Sequence, residues 1–242
     1  MSRPRIYLSQ PLESGTTVTL SDERSHYLSR VLRLSTGAKV QAFNGGDEDF
    51  AATVLSVRKS RVELSIGESV RNTAEPSLSI RLLQGVARGE RMDFVVQKAT
   101  ELGVRRISPV FTDFSVVKLN AERAEKRLQH WENVVRSACE QCGRSQLPTV
   151  DRPTPLHEVL TASVGAANRL MFVPDAEIPL RDITATDDVD ILIGPEGGFS
   201  PQEQRIATAA GFRAVALGPR TLRTETAALA AIAALQTLWG DF

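Results

Sequence analysis

From residue 77 onward the chain alternates two patterns. Five short apolar runs, Leu78–Val86, Ile107–Phe111, Leu170–Val173, Val189–Ile193 and Ala214–Leu217, read as strands buried on both faces. Between and after them, apolar residues recur at helical spacing over Arg91–Leu102, Ala121–Cys142, Pro201–Ala210 and Thr224–Leu238. Strands alternating with helices predict an α/β fold built on a mainly parallel sheet covered on both faces. The last predicted helix is apolar nearly all round and belongs in a core or against another subunit.

The first 72 residues are patterned differently. Val18–Leu20, Lys39–Phe43, Ala51–Val57 and Arg61–Ile66 are short and rich in branched residues, and Asn44-Gly45-Gly46 is a hairpin signal. Ser21 can cap a helix running from Asp22 to about Leu32. The stretch 71–76 then breaks the pattern as a linker does, which divides the chain into domains 1–72 and 73–242.

Charge refines this picture only mildly. The 242 residues carry 29 Lys and Arg against 29 Asp and Glu. Residues 1–150 hold 22 basic against 17 acidic side chains, and residues 151–242 hold 7 against 12. That excess can serve an RNA-binding surface, or be an ordinary solvated one. No apolar run is long enough for a transmembrane helix, and Met1-Ser2-Arg3-Pro4-Arg5-Ile6 lacks a signal peptide's apolar stretch; the expectation is a cytoplasmic protein with no membrane partner. Cys139-Glu140-Gln141-Cys142 has redox or zinc spacing. However, it lies late in a predicted helix rather than just after a strand, and His130 and His157 lack zinc-motif spacing, so a packing role and no metal are expected.

The candidate chemistry lies in two glycine-bearing turns, each leaving a predicted strand and entering a predicted helix. There is no dinucleotide-type G-x-G-x-x-G and no phosphate-cradling P-loop. Ser200 reads as the cap of the next helix, with Pro201 at its first position and Glu203 completing a capping box, rather than as a nucleophile. Tight strand-to-helix geometry accounts for either turn alone. Two of them, with Gly218 only 24 residues after Gly194, point to one ligand held by both.

The wording of these turns carries a resemblance. Gly194-Pro195-Glu196-Gly197-Gly198 and Leu217-Gly218-Pro219-Arg220-Thr221-Leu222-Arg223-Thr224-Glu225-Thr226-Ala227 are similar to the RsmE family of ribosomal RNA uridine methyltransferases, of the SPOUT class. Arg88-Gly89-Glu90-Arg91-Met92-Asp93, the stretch 97–104 and Ala138-Cys139-Glu140-Gln141-Cys142-Gly143-Arg144 extend the likeness over nearly the whole chain. The resemblance implies a SPOUT-type parallel sheet with a C-terminal trefoil knot, a small N-terminal PUA-like β-barrel that helps bind RNA, and a homodimer. It implies S-adenosyl-L-methionine as cofactor, held around Phe172, Val173, Ile193, Gly194, Pro195, Glu196, Gly197, Leu217, Gly218, Leu222, Arg223, Thr224, Thr226 and Ala227. The implied substrate is 16S rRNA in the small ribosomal subunit, methylated at N3 of the uridine conventionally numbered 1498.

Uridine N3 carries a proton at neutral pH, so methylation needs a base or an electrostatic clamp on the anion. The candidates are Arg88, Glu140, Arg144, Arg220, Arg223 and Glu225, each of which also has an ordinary reading as a surface ion pair or helix-terminal charge. RNA contacts are expected from Arg5, Arg30, Arg33, Arg91 and Lys98, with Arg3, Arg58, Lys59 and Arg61 as further cations. Two rivals remain at this level: a related SPOUT enzyme with another RNA target, and a non-catalytic RNA-binding protein of the same fold.

Overall fold

The computed structural model describes residues 3–58, 61–115, 121–162 and 166–242; Lys59 lies outside them. The chain divides into two compact units, one of Met1–Glu75 with Cys139–Leu147, the other of Pro76–Ala138 with Pro148–Phe242.

The first unit contains β1 (Arg5–Tyr7), β2 (Thr17–Thr19), α1 (Asp22–His26), β3 (Lys39–Phe43), β4 (Glu48–Arg58) and β5 (Arg61–Arg71). They form one sheet in the order β1-β3-β4-β5-β2, antiparallel except that β1 runs parallel to β3. Alternate residues of the strands, among them Ile6, Val40, Leu64 and Ile66, pack on Leu28 in a continuous apolar core. Ser21 caps α1 by accepting from the Arg24 amide. The α-helix is shorter than its apolar spacing predicts. It gives way to a π turn over Tyr27–Val31, closed by the Leu32 amide on the Tyr27 carbonyl at 3.0 Å. It stops at Arg33, whose φ of 53° makes it the one non-glycine residue with positive φ among those described.

The expected linker is organised structure instead. Arg71 still belongs to β5. The Asn72 amide donates to Asp49 and to the Gly143 carbonyl, each at 2.9 Å. The Glu75 carboxylate accepts from Arg144 and from the Ser145 and Gln146 amides. A polar stretch reads as a loop until its partners, about 70 residues away in sequence, are known.

The second unit follows the order β6 (Ser79–Gly85), α2 (Glu90–Glu101), β7 (Arg106–Phe111), α3 (Ala121–Cys142, its last turn counted with the first unit), β8 (Thr149–Val150), β9 (Thr154–Pro155), α4 (Leu156–Ala162), β10 (Asn168–Phe172), β11 (Asp188–Ile193), α5 (Pro201–Ala209), β12 (Arg213–Val215) and α6 (Thr224–Trp239). Every pairing is parallel, in the order β12-β10-β11-β6-β7-β8, with β9 also on β7. Leu83, Met171 and Leu192 meet Leu156 and Leu160 of α4 and Ala207 of α5 on one face. α6 packs over β6 and β11 and against α2. Trp131 of α3 is buried and donates to Asp93 of α2 at 3.0 Å. The expected parallel α/β sheet is therefore present. The two-residue β8 and β9 and the seven-residue α4 are additions that periodicity does not reveal, because elements this short carry too little of a period.

Candidate functional site

A cleft of about 770 Å³ opens at the carboxyl ends of β10, β11 and β12. This is where parallel α/β sheets place ligands, and the volume suits a ligand of nucleoside size. Phe172 and Val173 end β10 and form one wall. Ile193, Gly194, Pro195, Glu196 and Gly197 leave β11 and form the floor. Leu217, Gly218, Arg220, Leu222, Arg223, Thr224 and Ala227 close the far side. The two glycine turns of the sequence thus border a single cavity.

Local chemistry explains how each wall is set. The β11 turn enters α5 through the expected capping box: the Ser200 hydroxyl accepts from the Glu203 amide at 3.2 Å, and the Glu203 carboxylate accepts from the Ser200 amide at 2.8 Å. The same hydroxyl donates to Asp113 at 2.5 Å, so Ser200 is fully occupied as a cap. Beneath the turn, a Cβ on Gly85 would lie 2.4 Å from the Pro195 nitrogen, so only glycine lets β6 reach the turn. Gly218 is required for another reason: its φ is +79°, while nothing lies within 4 Å of a Cβ placed there. α6 begins at Thr224 behind Arg223, an extended N-cap residue that makes no side-chain cap. The Thr224 hydroxyl donates to the Gly194 carbonyl at 2.5 Å and accepts from the Gln84 amide at 2.8 Å. Thr224 therefore lines the cleft with its hydroxyl already in use.

Charge gathers on one rim. Glu196 accepts from Arg91 at 2.8 Å and from the Arg88 amide at 3.2 Å. Burial raises the Glu196 pKa, but backbone amides and Arg91 more than offset it and hold the carboxyl below its usual range. Arg91 also faces Glu225 at 4.0 Å, and the second oxygen of Glu225 is buried with no hydrogen-bond partner among the described residues. Arg220 and Arg223 line the cleft as exposed guanidinium groups.

Asp175, Ala176, Thr221, Gly198, Phe199, Gln204 and Ala214 also line the cleft, beyond the residues nominated from sequence. Asp175 lies just beyond β10 and Val173, and its place near a strand's carboxyl end was the signal available for it.

Other nominated residues lie elsewhere. Thr226 is exposed on α6 and outside the cleft lining. Glu140 and Arg144, nominated for chemistry, lie in the first unit, the one half-buried and the other buried: Glu140 pairs with Arg24 and accepts from the Tyr7 amide, and Arg144 pairs with Glu75 at 3.0 Å. Arg5, nominated for RNA, pairs with Asp49 and stacks over Phe43. Lys98 donates to both oxygens of Glu101. Arg30 and Arg33 are exposed on the π turn and just after it.

Cys139 is buried, and neither cysteine is in a disulfide. A hydrogen bond with Cys142 and then burial drive the Cys139 thiol pKa far up, which removes thiolate chemistry there. No group of three or more metal-ligating side chains occurs among the described residues, and no described helix is long and apolar enough to cross a membrane.

The sequence profile of an RNA methyltransferase domain matches residues 74–236, and that of an RNA methyltransferase PUA domain matches residues 20–67. The ribosomal RNA small subunit methyltransferase E of Buchnera aphidicola subsp. Schizaphis graminum is 35% identical over 239 residues, 98% of this chain and 97% of its own. A methyltransferase structure from Legionella pneumophila with bound SAM superposes with a TM-score of 0.97 at 37% identity, over 100% of both chains. The ribosomal RNA small subunit methyltransferase E of Neisseria gonorrhoeae, bound to S-adenosyl methionine, gives 0.92 at 40%, again over 100% of both. Profile, sequence and fold agree, and the chain belongs to the ribosomal RNA small subunit methyltransferase E family of RNA methyltransferases.

Proposed function

We propose that this protein transfers a methyl group from S-adenosylmethionine to the small-subunit ribosomal RNA, at N3 of the uridine numbered 1498. The cleft carries the reading: two glycine turns and an apolar strand end enclose about 770 Å³, in a chain whose fold matches SAM-bound relatives over its whole length. The residues fit the cofactor. Leu217 and Leu222 offer apolar faces to a purine, and backbone groups around Ile193, Gly194 and Gly218 offer hydrogen bonds at close approach. When bound, the cofactor supplies an electrophilic methyl group on a sulfonium.

The protein's own task is alignment and charge. Holding nucleophile and methyl in line can contribute about 7–11 kcal/mol at best. Arg220 and Arg223, exposed at the cleft, are the cations for a developing uridine anion, with Arg88 beside the Glu196 turn as a third. Glu196 is a poor proton acceptor because backbone amides and then the ion pair with Arg91 outweigh its burial and lower its pKa. Glu225 keeps one oxygen without a partner and is the better candidate. Glu140 and Arg144 hold the first unit together in this reading, and Arg30 and Arg33 meet the RNA.

The finer architecture belongs to the same proposal: residues 1–72 as a PUA-like RNA-binding barrel, residues 73–242 as the methyltransferase domain with its C-terminal chain threaded as a trefoil knot, and a homodimer. The contact of Gly85 with Pro195 and the Thr224–Gly194 hydrogen bond support the threading. Exposed Phe94 on α2 and Leu238 on α6 support an apolar face for a second copy.

The test is methyl transfer from labelled S-adenosylmethionine to unmodified small ribosomal subunits, with nucleosides identified by mass spectrometry and the site mapped. 3-Methyluridine at the expected position is the predicted result. Label elsewhere would discard the target, and absence of cofactor binding would overturn the enzymatic reading.

A further inference from the structure

We propose that Gln84 is a positioning residue for the cofactor: its buried amide fastens the Gly194 turn to the start of α6 and so fixes two walls of the cleft. The inference rests on the cofactor reading above and adds a residue that neither lines the cleft nor meets the ligand.

Gln84 sits on β6, fully buried, in a strand otherwise contributing Ile80, Leu82 and Leu83 to the core. Its amide nitrogen donates to the Gly85 carbonyl at 3.0 Å and to the Thr224 hydroxyl at 2.8 Å. A hydroxyl has one proton to give. With Gln84 donating to the Thr224 oxygen, that proton points to the Gly194 carbonyl, 2.5 Å away. The chain of bonds runs from β6 to the first residue of α6 and on to the turn after β11. Gly194 and Thr224 both line the cleft, and their spacing is set from behind.

The rest of the amide argues for this role. Its carbonyl oxygen is buried with no hydrogen-bond partner among the described residues. An unmet buried acceptor is costly, and an apolar side chain of similar volume would fill the site without it. What the glutamine adds is its pair of donors, and both act on groups at or beside the cleft wall. Without them the Thr224 hydroxyl is free to turn, and the two walls lose their common tie.

The test uses the full-length protein, with S-adenosylmethionine affinity measured by calorimetry and methyl-transfer kinetics beside it. Binding to the unaltered protein checks the underlying reading; its absence would refute that reading and this inference with it. Given binding, Gln84→Met, Gln84→Glu and Thr224→Val should each weaken cofactor affinity by about tenfold. Gln84→Met combined with Thr224→Val should be no weaker than the weaker single variant, since both cut one chain of bonds. KM for the cofactor should rise while kcat holds within about twofold, because the amide acts on binding rather than on the reacting atoms. Folded Gln84 variants with unchanged affinity, or losses that multiply in the double variant, would overturn the proposal. So would failure of both Gln84 variants to fold, which would assign the amide to the fold as a whole.

Discussion

Asp49 in the first unit and Glu196 in the second are both carboxylates held by arginine, and they differ in what is left over around them. Asp49 accepts from Arg5, Gln41, Asn72 and Ser145, with its side chain 5% exposed. Next to it, Glu75 takes Arg144 and two backbone amides, and Glu140 takes Arg24 and the Tyr7 amide. The three carboxylates there are filled by donors of the same unit, while the Nε of Arg5 and of Arg24 stays buried without a hydrogen-bond partner among the described residues. Around Glu196, whose side chain is 27% exposed, only Arg91 and backbone amides are engaged, while Arg88, Arg220 and Arg223 stand exposed beside it or across the cleft. A saturated, buried polar cluster fixes a structure. A rim of exposed cations over a cleft is where an anionic or polarised ligand finds a partner.

The largest effect should come from breaking the saturated side. Asp49→Ala leaves the Arg5 guanidinium, 12% exposed, without its carboxylate and strips the acceptor from Gln41, Asn72 and Ser145. Losing one partner of a buried pair costs about 3–5 kcal/mol. Urea denaturation should show that loss, while calorimetry on the remaining folded protein gives unchanged cofactor affinity. A variant of normal stability with lost affinity would reverse the roles assigned to the two regions.

On the open side, the glycine turns should fail in two distinguishable ways. Gly218→Val forces a β-branched residue into φ +79°, at a cost of about 1–3 kcal/mol, although there is room for the side chain. Gly194→Val has an ordinary φ but places its Cβ 3.1 Å from the Gly198 Cα, so the turn itself must shift. Both should abolish detectable cofactor binding. Gly218→Asn, whose side chain tolerates positive φ, should recover binding; Gly194→Asn should not. Equal recovery at both positions would show that ligand space, rather than backbone shape, excludes the side chains.

This contrast explains what was legible in the sequence. The cleft residues are local: a strand, a glycine turn and a capped helix in one stretch, written so that thirteen of the nominated cofactor residues line one cavity. The parallel sheet was legible for the same reason, because each strand and helix carries its own period. Strand order was not, since neighbours such as β11 and β6 lie over 100 residues apart. Asp49 was invisible as a centre, with partners 8 to 96 residues away in sequence. Glu140 and Arg144 show the consequence. A family motif draws attention to residues without saying whether they serve reaction or fold, and the ion pairs with Arg24 and Glu75 come from residues 116 and 69 positions away, which no local pattern shows. Gln84 is the converse, a polar residue inside an apolar strand whose partner Thr224 comes 140 residues later.

A third polar cluster, at the amino-terminal ends of the strands, gives a smaller effect with a readable sign. In-register pairing aligns Arg169, Asp190, Arg81 and Arg106 across four strands, and Asp151 takes Arg106 through two bonds of 2.8 Å. Burial raises the Asp151 pKa, but hydrogen bonds from Arg106 and Ser108 and the nearby arginine charges more than offset it. Its folded pKa therefore lies below 3.8, and the stability it contributes is present above that value and lost as pH falls through the folded pKa. For Asp190, burial outweighs Arg81 and Arg169, so its pKa lies above 3.8. Its charged form weakens the fold, an effect relieved as pH falls through the raised value toward 3.8. Denaturation between pH 3 and 7 should show Asp151→Asn less stable than the parent at neutral pH, with the gap closing only below about pH 4. Cofactor affinity should be unchanged throughout, because this cluster lies at the opposite strand ends from the cleft.

The smallest stability effect should come from Arg91→Ala. Its pair with Glu196 is 45% and 27% exposed, and exposed pairs contribute about 0.2–1 kcal/mol. The interest lies in what the variant does to Glu196. With Arg91 gone, the local backbone and the Arg88 amide still hold the carboxyl down, but the hydrogen bond and charge of Arg91 no longer add to them, so its pKa should rise part of the way. If Glu196 served as the proton acceptor, a more basic carboxylate would speed methyl transfer once protonation is accounted for. If Glu225 takes that part, as its unpartnered oxygen argues, removing its neighbour at 4.0 Å changes the reaction through Glu225. The pH–rate profiles of Arg91→Ala, Glu196→Gln and Glu225→Gln separate these cases. Glu225→Gln should lose the acid limb of the profile and Glu196→Gln should retain it; the reverse would move the base to the turn and leave Glu225 as a helix-terminal charge.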